Sequence, residues 1–440
     1  MTDNILQIIK TIQSHGYQAV LAGGCVRDFL LNVAPNDYDI ATDATPDQIE
    51  SIFPRTIAIG KAFGVINLLF NGEEYEVATF RKDGQYSDGR RPDSVEFSSM
   101  KEDASRRDLT INGLFYDPTN KIIHDFVGGQ TDLNQKILRF IGIPDERIQE
   151  DHLRMLRYIR FAVRFSDFKI DPRSFEAVVW NAEKISSVSA ERIREELVKI
   201  LSYDKPRFAL QLLHDSRLLS YILPEVVKLL TTPQSPKWHP EGNVWEHTIR
   251  CMENLGEKND VVRWAALLHD IAKPICFGYN ESGNITSHGH DYEGSILAET
   301  ILQRLKFPND FIEEVCAIIN DHMKAKDAIQ MKKSTLKRFL AKPHFHNLMN
   351  VCRADSLGAT GQLDWYDFIM EKFNSYEPEQ IKPKPLIGGQ ELIELGFKPG
   401  PIFSNILDTI STYQLEEIIN TPEEAIQIVK RVWGDPGGQA

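Results

Sequence analysis

The sequence predicts an α/β domain at the N-terminus followed by a region that is entirely helical. Short apolar segments bounded by Gly, Pro, Asn or Asp recur up to about residue 145, which is typical of strands in a mixed α/β domain. From about Pro144 onward the helical period dominates and strand patterns are absent. Eight of the twelve histidines lie between His239 and His346, which indicates that the two regions carry different chemistry.

Length and composition are those of a large globular protein. The 440 residues correspond to about three domains at roughly 150 residues each. Hydrophobic residues make up 42% and charged residues 26% of the chain, which excludes a disordered or fibrous protein. Because the net charge is −13, any surface for nucleic acid must be a local basic patch.

The cysteines and the apolar segments bear on the compartment. Five cysteines at wide spacing, with no CxxC pair, indicate reduced thiols rather than a disulfide framework or a cysteine-based zinc site. No run of about 18 apolar residues occurs, so no membrane span and no membrane partner are expected. The first helix contains Asp3 and lacks the residue order of a signal peptide. We therefore predict a cytoplasmic location.

We predict four consecutive domains. They are one α/β domain and three helical ones, in the order 1–145, 146–230, 235–365 and 366–440. Two Pro-rich polar stretches, 231–243 and 374–389, are candidate linkers between them.

The elements of the α/β domain follow one another closely. An amphipathic helix precedes YQAVLAGG, which predicts a strand that ends in glycines, and VRDFLLN then predicts a helix. Further strands are predicted for NDYDIAT, GVINLLF, EYEVATF and KIIHDFVGG. In KEDASRRDLTIN, acidic residues precede a helical stretch.

Asp37 and Asp39 are the first candidate catalytic residues. On a strand, residues i and i+2 point to the same face, so the two carboxylates would repel each other unless divalent cations lie between them. Mg²⁺ prefers oxygen ligands, and a pair of such ions suits in-line displacement at phosphorus. Glu76 on a later strand is a candidate third carboxylate. The alternative interpretation is a solvated turn with two acids, because short motifs often match by accident.

Gly23 and Gly24 precede this pair at the end of the first strand. Glycines let the backbone approach a phosphate, and amides at a helix start face the anion. Arg27 could add a charge-assisted hydrogen bond. Taken alone the glycines indicate only a tight strand-to-helix turn, but glycines, an arginine and two spaced aspartates on the next strand form a much rarer combination.

LAGGCVRD and NDYDIAT resemble the head of class II tRNA nucleotidyltransferases and of their bacterial poly(A) polymerase relatives. Four later segments resemble motifs of that family in the same order: GRRPDSVEF with Arg90, Arg91 and Asp93, EDASRRDLTIN with Arg106, Arg107, Asp108, Thr110 and Asn112, EDHLRMLRYIRF, and SAERIREEL. The resemblance extends to the C-terminus.

The resemblance implies a nucleotidyltransferase head at 1–145 and a neck at 146–230 that selects nucleotides and binds RNA. It also implies Mg²⁺ at Asp37 and Asp39, and a set of nucleotide-binding residues: Gly23, Gly24, Arg27, Arg107, Asp108, Asn112, Asp151, Arg154, Arg157 and Arg160.

The segment from Asp151 to Arg164 is predicted to be a two-faced helix. A helical wheel places the arginines at 154, 157, 160 and 164 within one arc and the apolar residues opposite. Asp151 and Arg154 are neighbours on a helix because they stand at i and i+3. The Asp151 carboxylate accepts hydrogen bonds and the Arg154 guanidinium donates them, so together they can match the edge of a cytosine or an adenine. The resemblance implies that this pair selects CTP and ATP without a nucleic-acid template. The alternative is an intrahelical salt bridge on a solvated face.

The histidine-rich region contains a second constellation, in the order His247, His269-Asp270, His290, His322 and Asp355. Imidazole and carboxylate together bind Mn, Fe, Ni, Zn or Mg ions. A single histidine of this set is more often a plain core or surface residue. The run Ala-Ala-Leu-Leu-His-Asp differs, because it places charge at the end of a core helix, which is costly without a metal or partner.

This order resembles the HD superfamily of metal-dependent phosphohydrolases. The resemblance implies one ion held by four residues: His247, His269, Asp270 and Asp355. His290 and His322 could hold a second ion. The metal is expected to be a divalent transition metal (Mn, Ni, Co or similar) or Mg²⁺.

The predicted function is addition of CCA to the 3′ end of tRNA from CTP and ATP by two-metal nucleotidyl transfer, with a second phosphodiesterase or phosphatase activity in the HD domain. The partners are tRNA, ATP and CTP. One alternative is an A-adding enzyme or poly(A) polymerase. Another is a mainly hydrolytic HD phosphodiesterase that binds RNA, which the intact head motifs disfavour. In the family that the chain resembles, members that add only C lack a flexible loop before the GRRPDSVEF motif, so the full-length segment 81–91 disfavours an enzyme of that kind.

Overall fold

A computed structural model describes residues 3–35, 37–58, 60–84 and 94–434. Arg90, Arg91 and Asp93, and most of the segment 81–91, lie outside the described residues. The chain divides into two compact units, one formed by 1–227 with 304–307 and the other by 228–303 with 308–440. Each unit is described by itself.

The first unit begins with an α/β region, and the α/β head predicted from the sequence is confirmed. Its elements are α1 (Asp3–Ser14), β1 (Ala19–Ala22), α2 (Gly24–Leu30), β2 (Asp39–Thr42), α3 (Pro46–Ile52), β3 (Thr56–Ile57), β4 (Val65–Phe70), β5 (Glu73–Thr79), β6 (Arg81–Asp83), β7 (Val95–Phe97), α4 (Met100–Ser105), β8 (Leu114–Asp117), β9 (Ile122–Asp125), α5 (Gly129–Gln135) and β10 (Ile137–Leu138). A 3₁₀ turn, Thr110–Asn112, precedes β8.

Seven strands form one sheet in the order β3-β4-β5-β2-β1-β8-β9. Only the β2–β5 pairing is parallel; the other pairs run antiparallel. Helix α1 covers the sheet with four isoleucines at helical spacing, all buried: Ile5, Ile8, Ile9 and Ile12. Because β1, β2 and β5 are neighbours, the glycine turn after β1 and the acids of β2 and β5 come to one region of the sheet.

The rest of the first unit is mainly helical. The elements are α6 (Pro144–Glu150), α7 (Arg154–Arg164), β11 (Lys169–Ile170), α8 (Pro172–Asn181), α9 (Ala190–Ser202), α10 (Pro206–Asp215), α11 (Leu218–Ile222) and α12 (Pro224–Val227). The two-residue strand β11 pairs in parallel with β10, Ile137 opposite Lys169. Strand patterns therefore do not end entirely at residue 144, because a strand this short leaves no periodic signal.

The second unit is helical, as predicted, apart from one short hairpin. The elements are α13 (Val244–Glu253), α14 (Asp260–Leu268), α15 (Lys273–Cys276), β12 (Gly278–Tyr279), β13 (Ile285–Thr286), α16 (His290–Arg304), α17 (Asn309–Asp321), α18 (Lys333–Leu340), α19 (Phe345–Gly358), α20 (Asp364–Ser375), α21 (Pro378–Ile381), α22 (Gly389–Glu394), α23 (Pro401–Leu415) and α24 (Pro422–Trp433). Among the helices of the described ranges, none has the length and apolar character needed to cross a bilayer.

The stretch 231–243 is packed rather than an open linker. Thr232 and Gln234 are buried, and Pro233 forms an isolated β-bridge with Asn243. The side-chain amide of Gln234 accepts a hydrogen bond from Lys273 at 2.6 Å. The prolines of this stretch predicted a linker, but the side chains of Thr232 and Gln234 are buried in the second unit.

Candidate functional site

Asp37, Asp39 and Glu76 lie near one another at the interior strands β2 and β5 of the sheet. Ile40 of β2 lies opposite Val77 of the parallel strand β5, so the preceding residues, Asp39 and Glu76, start from adjacent backbone positions. Loss of hydration and the charge of Asp37 raise the pKa of Asp39, although Arg107 opposes this. Loss of hydration and the charge of Asp39 likewise raise the pKa of Glu76. Crowded carboxylates whose ionisation is disfavoured fit a site for divalent cations, which would supply the missing positive charge.

The turn at Gly23 lies beside this cluster, because Ala22 at the end of β1 is opposite Asp39. Gly23 has a positive φ of 72°, and a Cβ atom there would lie 2.7 Å from Nη1 of Arg107. Helix α2 starts at the next residue, Gly24. The turn therefore requires glycine at 23 so that Arg107 can pass close beneath the backbone.

Arg107 supplies positive charge at this place. Its Nε and Nη2 donate to Oδ2 of Asp103 at 3.2 and 3.0 Å, and its guanidinium lies 4.9 Å from the ring centroid of Phe115. These contacts hold the guanidinium in one orientation, and its charge favours the ionised form of Asp39. The predicted nucleotide-binding residue Arg107 is thus brought together with the predicted metal-binding carboxylates.

Arg27 is placed differently from the prediction. Only 3% of the residue is exposed, and its guanidinium donates to Oδ1 of Asp28 and Oδ1 of Asn112 at 2.8 and 2.5 Å. The rings of Phe161 and Phe165 lie 5.3 and 5.1 Å away. Its donors are engaged beneath the turn, so Arg27 supports the turn in this structure, and its contact with a phosphate stays a prediction.

Asp108 and Asn112 join the head to α7. The carboxylate of Asp108 is buried and accepts from Asn112 Nδ2 at 3.0 Å and from Arg157 Nε and Nη2 at 2.9 and 2.6 Å. Burial opposes ionisation, but the Arg157 guanidinium outweighs it and holds the pKa of Asp108 well below its usual range. Asp108, Asn112 and Arg157 were predicted to bind nucleotide; here they form a buried network under the site.

The arrangement of Asp151 and Arg154 on one helix is a wrong prediction. Helix α7 begins at Arg154, and Asp151 lies before it with extended backbone, φ −146° and ψ 107°. Asp151 instead pairs with Arg192 of α9, with Nη1–Oδ1 and Nη2–Oδ2 distances of 3.2 and 2.7 Å. Arg192 lies in the SAERIREEL segment but was not singled out, because nothing in local spacing connects positions 151 and 192.

Arg154 is largely buried at the start of α7. It donates to the carboxylate of Glu150 and to the backbone oxygens of Arg147 and Arg106, the latter two at 2.9 and 2.8 Å. The predicted apolar face of the helix is confirmed, since all of its residues are buried: Met155, Leu156, Ile159, Ala162 and Val163. Tyr158 is also buried and stacks on Phe140 at 4.9 Å between centroids.

The basic face of α7 meets carboxylates rather than open solvent. Arg157 pairs with Asp108, Arg160 with Glu196 at 2.9 Å, and Arg164 with Asp28 at 2.9 Å. The prediction that these arginines share a face holds. Their guanidinium groups anchor the helix, because each is already paired within the first unit.

The six predicted metal ligands of the second unit converge, and all are buried. They come from five helices or helix ends: His247, His269, Asp270, His290, His322 and Asp355. His247 Nε2 lies 3.3 Å from His269 Nε2 and 3.0 Å from Asp355 Oδ1. His290 Nε2 lies 3.3 Å from His322 Nε2 and from Asp270 Oδ1.

The second nitrogen of each ring determines which atom faces this centre. Nδ1 of His269, His290 and His322 lies 2.8, 2.7 and 2.6 Å from the backbone oxygens of residues 266, 287 and 319. Nδ1 of His247 lies 2.7 Å from Oε1 of Glu241. Each Nδ1 therefore acts as a donor, and the Nε2 lone pairs face each other in two pairs, His247 with His269 and His290 with His322. Such facing lone pairs are unfavourable without a cation, so the residues fit a metal centre.

The ligand atoms form two triads, and Asp270 Oδ2 also lies 3.5 Å from His247 Nε2, within the group of four predicted to hold one ion. Potential ligand atoms of His247, His269 and Asp355 lie within 4.8 Å of one another, as do those of Asp270, His290 and His322. Asp270 also faces the first group, with Oδ2 3.2 Å from His269 Nε2. Asp270 is thus placed between two triads, where one carboxylate can contact two cations.

Comparisons with known proteins agree along the chain. A poly A polymerase head domain matches residues 19–139, the probable RNA and SrmB- binding site of polymerase A matches 167–230, and an HD domain matches 242–360. The CCA-adding enzyme of Geobacillus kaustophilus is 39% identical over 428 residues, which cover 96% of this chain and 95% of that protein. This chain belongs to the CCA-adding enzyme family.

Two other CCA-adding enzymes are also similar to this chain, one at lower identity and one over a shorter stretch. That of Geobacillus stearothermophilus is 32% identical over 414 residues, covering 92% of this chain and 90% of that protein. The match with the Bacillus licheniformis enzyme is 44% identical over 197 residues and spans 44% of this chain and 49% of that protein, about half of each.

Solved CCA-adding enzymes share the fold. The Bacillus stearothermophilus enzyme in complex with CTP is 27% identical with a TM-score of 0.75, and the match covers 98% of each chain. The Thermotoga maritima enzyme complexed with tRNA has a TM-score of 0.61 at 20% identity, covering 98% of this chain and 96% of that one, which shows likeness of fold.

Two lysines of this CCA-adding enzyme family member approach the histidine-rich centre, and sequence reasoning did not single them out. Lys273 Nζ lies 2.7 Å from Asp270 Oδ2, and Lys326 Nζ lies 2.9 Å from Asp355 Oδ2. The position of Lys273, three residues after Asp270, was a usable signal, since the backbone N–H of Lys273 donates to the backbone oxygen of Asp270 in a turn. Both lysines border a cleft of about 670 Å³, which is also lined by Asp355, Asp270, His290 and His322 of the two triads and by Trp238 and Trp365.

Proposed function

We propose that this member of the CCA-adding enzyme family adds CCA to the 3′ end of tRNA, using CTP and ATP and no nucleic-acid template. The observation that carries the proposal is the cluster of Asp37, Asp39 and Glu76 beside the Gly23 turn and Arg107. The complex of a relative with CTP supports the choice of nucleotide. A reaction on tRNA with nucleoside triphosphates supports a cytoplasmic location.

The residues near the Gly23 turn have different roles in this reaction. When bound, Mg²⁺ ions at Asp37 and Asp39 supply activation of the 3′-hydroxyl and stabilisation of charge at the α-phosphate. Glu76 adds negative charge that favours cation binding. Arg107 provides donors near the triphosphate, and Gly23 leaves the space in which its guanidinium lies. Pyrophosphate leaves as the 3′-oxygen bonds to the α-phosphorus.

We propose that Asp151 and Arg154 recognise the base. Asp151 is held by Arg192, and Arg154 by Glu150 and by two backbone oxygens. Fixed donors and acceptors can discriminate between base edges without a template, because a mismatched base would leave a desolvated polar group unpaired.

The domain division proposed from the sequence assigns 1–145 to the nucleotidyltransferase head and 146–230 to the neck. The HD domain then covers 235–365 and the tail 366–440. We propose that the HD domain is a metal-dependent phosphodiesterase or phosphatase. The convergence of four Nε2 atoms with Asp270 and Asp355 carries this second proposal.

A nucleotide-addition assay tests the main proposal. The full chain is incubated with a tRNA transcript that ends before CCA, with labelled CTP and then labelled ATP. Addition of two C residues and one A is expected. Addition of A alone, and only to a transcript ending in CC, would instead establish an A-adding enzyme, and repeated addition of A to unrelated RNA would establish a poly(A) polymerase.

A further inference from the structure

The segment 239–241 contributes two side chains next to the metal centre of the HD domain. The side chain of Glu241 is completely buried. Its Oε1 lies 2.7 Å from Nδ1 of His247 and 2.9 Å from Nδ1 of His239. The rings of His239 and His247 meet edge to face, with centroids 4.7 Å apart. Glu241 therefore joins a predicted ligand to a histidine that borders the cleft.

Two interpretations of this group are chemically distinct. His239, Glu241 and His247 could hold a cation of their own, since their potential ligand atoms lie within 4.8 Å of one another. They could instead be linked by two N–H···O hydrogen bonds. A neutral imidazole has one N–H and one lone pair. His247 places Nε2 among His269 and Asp355, so its proton must be on Nδ1 if Nε2 binds a metal. The hydrogen-bonded interpretation is therefore the consistent one.

The second oxygen of Glu241 strengthens this interpretation. Oε2 is buried and has no hydrogen-bond partner among the described residues. The negative charge of Glu241 is thus directed at the two imidazoles and is not dispersed over other donors. Burial of a carboxylate without a cation beside it costs free energy. A metal ion bound to Nε2, on the other side of the His247 ring, would supply the positive charge that stabilises Glu241.

We infer that Glu241 is a positioning residue for the HD metal centre, and that His239 holds Glu241 in place. This inference rests on the proposed metal-dependent function of the HD domain. By accepting the Nδ1 proton of His247, Glu241 determines the tautomer and the ring orientation and makes Nε2 a stronger ligand. Partners of this kind typically change metal affinity by about 10- to 100-fold.

The test uses Co²⁺ as the probe and the full chain carrying Asp37→Ala and Asp39→Ala, so that the head carboxylates do not contribute. Co²⁺ bound by imidazole is followed through its visible d–d absorption. Glu241→Gln keeps the volume and a carbonyl acceptor but removes the charge, and a rise in Kd of about tenfold is expected. Glu241→Leu removes the acceptor, and a rise approaching about 100-fold is expected. His239→Gln, the matched control, should raise Kd less than either.

The outcomes separate the inference from the function on which it rests. If the parent protein leaves the visible spectrum of aqueous Co²⁺ unchanged, the proposed metal centre is wrong, and the role of Glu241 is wrong with it. If the parent binds Co²⁺ and Glu241→Gln binds it with unchanged Kd, only the positioning role is wrong. A purely packing role would lower the metal-free Tm of Glu241→Gln without changing the Kd of the folded protein. Glu241→Gln therefore decides the question even if Glu241→Leu fails to fold.

Discussion

Asp39 is a residue whose ionised carboxylate destabilises the metal-free protein, although the same carboxylate is proposed to bind the catalytic metal. Its carboxylate lies next to Glu76 and Asp37, and the fold raises its pKa through lost hydration and like charge. At neutral pH the ionised carboxylate therefore costs the metal-free protein free energy, because an acid whose folded pKa is raised is less stable once it is ionised. Sites with repelling acids commonly gain stability when one charge is removed.

Asp39→Asn is expected to raise the Tm of the metal-free protein at pH 7 while abolishing CMP incorporation. Thermal unfolding with EDTA and the nucleotide-addition assay measure the two effects. Asp117→Asn is a matched control of opposite sign, because hydrogen bonds from Asn120 and Thr119 outweigh burial and lower the pKa of Asp117. A decrease in Tm for Asp39→Asn as large as for Asp117→Asn would contradict the argument.

Arg192 is the residue that the structure adds to the predicted base-selecting pair. Arg192→Gln is expected to reduce discrimination of CTP and ATP from UTP and GTP, in the same direction as Asp151→Ala. Since both changes disrupt one ion pair, the double variant should be little worse than either single one. The ratio of kcat/KM for CTP and UTP measures this. Arg194→Gln on the same helix is the control, and full discrimination by Arg192→Gln would show that the ion pair has no such role.

At the scale of elements, α7 connects the sheet-containing region of the first unit to α9. Its apolar face is buried, and its arginines pair with carboxylates from three different elements: Asp28 of α2, Asp108 before the 3₁₀ turn, and Glu196 of α9. The helix therefore holds the Gly23 turn and the segments EDASRRDLTIN and SAERIREEL in one arrangement. Arg154, which we propose helps to select the base, lies at the start of this helix and is held by it.

Arg157→Met tests this linkage. The change leaves the carboxylate of Asp108 buried with its main cation removed, and a loss of stability of about 3–5 kcal/mol is expected. Urea unfolding of the full chain, followed by a probe in the first unit, measures it. The double variant Arg157→Met with Asp108→Asn should recover most of the loss, because no buried charge remains. An equally unstable double variant would show that packing of α7, not the ion pair, was responsible.

At the scale of the whole molecule, two compact units carry two kinds of ligand. The first unit offers carboxylate oxygens, which suit Mg²⁺, and the second offers imidazoles with carboxylates, which suit transition metals. The two proposed activities are therefore separable by substitution. This holds even though both are encoded in one chain.

Asp37→Ala is expected to remove CCA addition and to retain metal-stimulated hydrolysis, and Asp270→Asn the reverse. Because Asp270 is buried and pairs with Lys273, we expect Asp270→Asn to lower Tm modestly, with Gln234 still bound to Lys273. Hydrolysis of 2′,3′-cyclic phosphates, 2′-nucleotides and generic phosphoesters is measured with Mn²⁺, Ni²⁺ or Co²⁺. Wild-type protein without any such hydrolysis would indicate that the HD domain is structural.

The sequence by itself determined the order of an α/β region and helices, the two-faced character of α7, and the residue types that gather in two centres. The order of elements and the two faces of α7 follow from the periodicity of apolar residues. The two centres were recognised because two spaced acids and an adjacent His-Asp pair are rare patterns, and both are visible over a few residues of sequence. The roles of the individual site residues stay predictions. Local patterns singled out Asp39 at the start of β2 and His269 directly after α14, because spaced acids and a His-Asp pair after an apolar run are rare in sequence.

Only the tertiary structure decided which groups meet across long stretches of chain. It paired Asp151 with Arg192 instead of Arg154, and it placed Arg27 beneath the turn. It also placed Asp270 between two triads and Glu241 against His247. The physical reason is that hydrogen bonds and ion pairs depend on distances of about 3 Å. Those distances are set by how helices and strands pack, which the spacing of residues along one element does not contain.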